Sequence, residues 1–115
     1  MTPEQTALVD RIRALITDEL IVRGVSMFGG RSVMVNEKIL VSALKGGGLL
    51  VRVDARQHDS LLRKPGATQA TMGPGRDMGP GWLEVAADTI SDEEQLSSWI
   101  DTALDYNRAV AGGRS

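Results

Sequence analysis

Four short runs decide the architecture: VRGVSMF at residues 22–28, SVMV at 32–35, ILVSAL at 39–44 and LLVRV at 49–53. They are rich in β-branched side chains and are separated by turn formers, Gly29-Gly30, Asn36-Glu37 and Gly46-Gly47-Gly48. A helical crossover between parallel strands needs about a dozen residues, so connections this short predict an antiparallel meander. The alternation within the runs is imperfect. Leu40 and Leu44 interrupt the set Ile39, Val41 and Ala43, and Leu50 stands beside Leu49. A sheet whose second face is also partly apolar needs a cover, and a second subunit is the expected one.

Helices are predicted on either side of this sheet. Thr2 reads as a cap, Pro3 suits the first helical turn, and Gln5 stands where a capping box closes. Leu8, Ile12, Leu15 and Ile16 recur at helical spacing, which predicts a first helix over about residues 3–20 with Arg11 on its solvated side. Asp54 reads as the cap of a short helix over residues 55–64, stopped by Pro65-Gly66. Residues 67–72 are a further strand candidate. An irregular loop follows at 73–81, and Trp82-Leu83-Glu84-Val85 reads as the last strand. Ser91 with Glu94 reads as a second capping box. Leu96, Trp99, Ile100, Ala103 and Leu104 then carry the apolar stripe of a helix over about 92–110, closed by Gly112-Gly113. The order α-β-β-β-β-α-β-β-α defines an α+β class: an antiparallel sheet, a helix at each end and a short one in the middle. No linker or repeat divides the chain, so residues 1–115 are expected to form one domain with its core at 3–110.

Composition agrees with a single domain. A chain of 115 residues and 12.3 kDa should expose about 6,000 Å² once folded, near one third of its unfolded surface. Hydrophobic residues at 42% and charged ones at 24% are too apolar for a disordered chain. The absence of cysteine removes disulfides, thiolate metal sites and thiol catalysis together. No apolar run reaches the about 20 residues of a membrane span, and no basic-then-apolar leader opens the chain, so a cytoplasmic location is expected. Charge is uneven: nine basic residues stand against three acidic ones between Arg23 and Arg76, while Glu84 to Asp105 holds seven acidic residues and no basic one. A positive middle and a negative last helix can pair within the fold, across a dimer, or with partners of opposite sign.

Catalytic patterns fail one after another. None of the glycine clusters is followed by the Lys-Ser or Lys-Thr of a phosphate-binding loop, and the Gly46 triplet joins strands and does not open a helix. His58 is the only histidine; with Asp54 four residues earlier it makes half of a metal or acid–base site, and an exposed helix position is the stronger expectation for it. Ser26 is not in a nucleophile elbow. No catalytic residue, cofactor site or metal site is therefore assigned. Four aromatics, Phe28, Trp82, Trp99 and Tyr106, are few for a base-stacking platform, and Trp99 falls on the core stripe. Met27, Met34, Met72 and Met78 suit an adaptable contact surface or core filling.

Three pieces occur in a set order: Met27-Phe28-Gly29-Gly30 opening a hairpin, Leu50-Val51-Arg52-Val53 after a glycine turn, and Gly75-Arg76-Asp77-Met78 shortly before Gly81-Trp82. Followed by an acidic helix bearing Leu96 and Trp99, they resemble the N-terminal domain family of the TfoX/Sxy competence regulators over about residues 4–110. The resemblance implies an antiparallel sheet packed by helices, secretion-chaperone-like in topology and often dimeric. It implies a regulatory rather than catalytic role, linked in two-domain members to a cyclic-AMP receptor-type transcription factor. The resemblance is to the stand-alone members, so the second, helical domain of the two-domain regulators is not expected here. Where family hairpins often carry Asn-Gly, this chain has Asn36-Glu37.

These readings lead to a non-enzymatic regulatory or protein-interaction domain, homodimeric, linked to transcription and without membrane contact. Its interaction candidates are Met27, Phe28, Gly29, Gly30, Arg52, Arg76, Met78 and Trp82. Arg52 is flanked by core-facing Val51 and Val53 and should point to the opposite face. Arg76, in a glycine-lined loop, should form a structural salt bridge or grip a carboxylate or phosphate. Two alternatives follow: DNA binding through the basic middle, and a small-molecule or phosphate-binding protein, or an enzyme, built on Arg76 and Arg52.

Overall fold

The computed structural model describes residues 3–16, 22–27, 30–35, 38–44, 46–73 and 76–111, with the backbone alone for 22–27, 72, 73, 76 and 111. Helix α1 (Pro3–Leu15) leads into four strands, β1 (Val22–Met27), β2 (Gly30–Val35), β3 (Lys38–Ala43) and β4 (Leu49–Arg52). A 3-10 turn (Ala55–Gln57) runs into α2 (His58–Leu62), then come β5 (Ala67–Gln69), the small hairpin β6 (Thr71–Gly73) and β7 (Arg76–Asp77), and β8 (Trp82–Val85). Helices α3 (Ala87–Ile90) and α4 (Glu93–Ala111) close the chain. The architecture is α+β, with the six-stranded antiparallel order β1-β2-β3-β4-β8-β5.

The expected meander is β1 to β4. Strand β8 inserts between β4 and β5, so the last strand is central and β5 becomes an edge. The accessible surface, 6322 Å², matches the value expected for a chain of this mass.

One face of the sheet carries the core. Val33, Val41, Val51 and Leu83 lie side by side across β2, β3, β4 and β8, and Ala43, Leu49 and Val85 form a second row. Leu8, Val9 and Ile12 of α1 and Leu96, Trp99, Ile100, Ala103 and Leu104 of α4 join the same cluster. Burying each large aliphatic or aromatic side chain contributes about 1.5–3 kcal/mol, which makes this cluster the main source of stability.

The broken alternation in β3 has a specific cause. Val33 pairs with Val41 while Met34 pairs with Ile39, so Leu40 is an extra residue in the ladder. Such a bulge lets two successive side chains face one way, and Leu40 joins Val41 in the core while Ile39 is set apart with Met34. Leu50 is 3% exposed with no second chain present. Ser32 and Ser42, paired on the same face as Leu50, are buried too, and their hydroxyls hydrogen-bond at 3.1 Å. Of the apolar residues that suggested a subunit as cover, Leu40 and Leu50 are thus covered within one chain, while Leu44 is half-buried.

Several local expectations shift. α1 ends at Leu15, with Ile16 in a turn; residues 17–20 and the Thr2 cap lie outside the described residues. Gln5 is buried against the sheet and donates from Nε2 to the Ala43 carbonyl at 3.0 Å. Asp54 does cap the middle helix, accepting from the Arg56 N–H at 2.9 Å, but a 3-10 turn forms first and α2 is only five residues long. The cap of α4 is Asp92 rather than Ser91: Asp92 Oδ1 accepts from the Glu94 N–H at 2.8 Å, while the Ser91 hydroxyl donates to the Asp88 carbonyl and closes α3. Arg11 is only partly solvated. It bridges α1 to the α3–α4 junction, donating to the Ile90 carbonyl at 2.7 Å and pairing with Glu93 at 3.0 Å.

Candidate functional site

Val51 and Val53 sit in the core, so the strand period turns Arg52 to the other side, beside its pairing partner Trp82. Its guanidinium carbon lies 4.8 Å from the centre of the Trp82 ring and 5.1 Å from that of Tyr106. Nη2 donates to the Tyr106 hydroxyl at 3.2 Å. A cation between two aromatic faces gains about 0.5–1 kcal/mol per ring where exposed and more where desolvated, and Arg52 is half-buried. Tyr106 reaches it from α4, where Ala103, Tyr106 and Val110 continue the helical stripe beyond the core.

The position of Trp82 is set by a buried polar knot. The Gly81 N–H donates to His58 Nδ1 at 2.9 Å, which leaves the ring proton on Nε2, where it donates to Gln69 Oε1 at 2.8 Å. That contact fixes the Gln69 amide, whose Nε2 lies 3.1 Å from the carbonyls of Ala70 and Gly79 and 3.3 Å from that of Trp82. The expectation of an exposed His58 is therefore corrected: the ring is 7% exposed, with both nitrogens engaged in structure. Gly81 is required beside it. Its φ is +94°, and a Cβ there would lie 2.5 Å from Arg52 Nη1 and 2.9 Å from the Val53 carbonyl.

Around this centre runs an open groove of about 350 Å³. Met34, Ile39 and Val110 give it apolar walls, Arg52, Trp82 and Tyr106 one side, and Lys38 and Asn107 its polar edge. Asn107 is buried and donates to the Val35 carbonyl at 2.9 Å, which pins the end of α4 to the end of β2. Val110, 37% exposed, is the large hydrophobic residue left most open among the described residues.

Charges nearby are partly spoken for. Asp54 holds Arg56 through two side-chain contacts, 2.9 and 3.2 Å, and this hydrogen bonding keeps the Asp54 carboxyl below the usual carboxylate range and raises Arg56. Arg52 adds a weaker favourable field on Asp54. Lys64 lies 4.4 Å over the Trp99 ring and donates to the Ser98 hydroxyl, which confirms Trp99 as core. Among the described residues no group of three or more His, Asp or Glu could hold a metal ion. Among them, too, no helix is long and apolar enough to cross a membrane.

Of the eight interaction candidates, the structure brings Arg52 and Trp82 together. Gly30, paired with Met27, lies at the end of β2 away from the groove. A Cβ on Gly30 would stand 2.6 Å from the Ala43 carbonyl, so its role is close strand packing. Met78 is half-buried and donates its N–H to Ala70, outside the groove. Phe28 and Gly29 lie outside the described residues, as do the side chains of Met27 and Arg76; the backbone of Arg76 is in β7 rather than an open loop. Tyr106, Met34, Ile39 and Val110 were missed as groove residues. The signal for Tyr106 and Val110 was the helical continuation of the α4 stripe, and that for Met34 was its place among the methionines suited to a contact surface.

No curated protein matches the chain. The family description "TfoX N-terminal domain" matches residues 19–106, a span that contains the whole six-stranded sheet together with Arg52, Trp82 and Tyr106, and the chain belongs to that family.

Proposed function

We propose that this chain is a non-enzymatic regulatory domain that acts by binding another protein, with the groove at Arg52 as its contact site. The observation that supports the reading most directly is the stacked guanidinium itself: Arg52 stands between Trp82 and Tyr106 beside apolar walls. Arginine and aromatic side chains at the centre of an apolar patch are the residue types that dominate protein interfaces. His58, the residue best suited to acid–base work, is spent on Gly81 and Gln69. Family membership supports a regulatory role and suggests a transcription factor as the partner class, in the cytoplasm, with a homodimer as the working assembly.

Capture from cytosol tests this with three tagged proteins: wild type, Val110→Glu and Arg76→Ala. Wild type should retain a protein that Val110→Glu loses while remaining folded. Capture that is indifferent to Val110→Glu but lost with Arg76→Ala moves the site to the β6–β7 hairpin. Retention of duplex DNA that weakens steeply with salt would replace the protein partner by nucleic acid.

A further inference from the structure

The geometry points to an acidic peptide segment as the occupant of the groove: a glutamate or aspartate carboxylate on Arg52, with the apolar side chain beside it against Met34, Ile39 and Val110. This rests on the binding reading above and adds the chemistry of the partner. Arg52 carries five N–H donors, and among the described residues it meets the two rings, the Gly81 backbone beside Nη1 and, through its one hydrogen bond, a phenol oxygen. The nearby carboxylate of Asp54 is held by Arg56 and does not hydrogen-bond Arg52. A half-buried guanidinium without a carboxylate on it can still accept a planar anion side-on, and the flanking rings hold its plane in place for that. Lys38, exposed at the rim, adds a second positive charge of the same sign.

The lining of the groove favours a peptide over a free anion: its apolar walls offer contact to an aliphatic or aromatic neighbour of the carboxylate that an inorganic ion lacks. Its cation also has the sign that excludes a basic partner, which is a specificity device as much as a source of affinity.

The experiment is NMR titration of the intact labelled chain, following the two tryptophan indole signals. The probes are end-capped hexapeptides containing one glutamate next to leucine or phenylalanine, the same peptides with glutamine, and phosphate and benzoate alone. Glutamate peptides should shift the Trp82 signal and leave the buried Trp99 signal in place, with affinity at least tenfold above the glutamine forms. Arg52→Gln should remove that preference, and Lys38→Gln should flatten its salt dependence. Equal affinity for glutamate and glutamine peptides overturns the inference, as does an unchanged preference in Arg52→Gln. If benzoate or phosphate alone reaches the affinity of the glutamate peptides, a free anion takes the peptide's place and the inference falls. Should Arg52→Gln fail to fold, Arg52→Lys, which keeps the charge and removes the planar fork, should weaken the glutamate preference, and an unchanged preference there overturns the inference. Failure of every peptide while Val110→Glu still abolishes capture from cytosol would sink the acidic class and leave the binding reading standing.

Discussion

At the scale of single residues, His58 decides most about the site without facing it. Removing its ring leaves the buried Gly81 N–H and the Gln69 carbonyl oxygen without partners. Each such loss costs about 1–3 kcal/mol, so His58→Ala should lower the unfolding free energy in urea by about 2–4 kcal/mol. An exposed helix histidine would cost under about 0.5 kcal/mol, so the measurement separates the two positions sharply. Asp54 makes a prediction of the opposite kind. Its carboxyl is held below the ordinary value of 3.8 by Arg56, so the ion pair contributes fully above that value and is lost as pH falls beneath it. Wild type should melt slightly higher than Asp54→Asn at neutral pH, with the gap closing in acid. Arg56 is exposed and Asp54 only half-buried, so the gap should be small. The sequence places Arg52 correctly, because Val51 and Val53 dictate its direction. Tyr106, 54 residues away, is brought to it only by the packing of α4, which no local pattern encodes.

Among the elements, strands were legible because their turns are made of glycine and asparagine, and helices because their stripes are regular. What the sequence does not reveal is the competition between neighbouring polar groups. Ser91 and Asp92 are both good caps, and α3 decides between them: its end takes the Ser91 hydroxyl, leaving Asp92 to hold the Glu94 N–H. Asp92→Ala should therefore cost about 1 kcal/mol in thermal or urea unfolding, and Ser91→Ala less than half of that. The bulge at Leu40 is hidden for a related reason. Period two predicts Ile39 inside and Leu40 outside, and only the register with β2 reverses them. Leu40→Ala should then behave as a core truncation, destabilising by about 2–4 kcal/mol, while Ile39→Ala should cost about 1 kcal/mol and act mainly on the groove it lines.

For the molecule as a whole, the question is whether one chain closes its own core. Leu50 is the residue that answers it, since it lies outside the main cluster yet is almost fully covered in the single chain. If the cover is intramolecular, Leu50→Ala should cost about 2–4 kcal/mol at every protein concentration, because no association step is linked to its burial. If a second subunit supplied the cover, the penalty of the variant would shrink on dilution; a wild-type melting temperature that climbs with concentration reports any homodimer, whichever surface it uses. We expect the first outcome between about 2 and about 200 µM, a range over which linked dimer dissociation would shift the stability by more than about 2 kcal/mol. Any homodimer must then use surfaces that the core does not, such as the backbone edge of β1 or the groove beside Val110. In the second case Val110→Glu would dissociate it and leave the cost of Leu50→Ala unchanged, which light scattering and urea unfolding of the same two variants would show together.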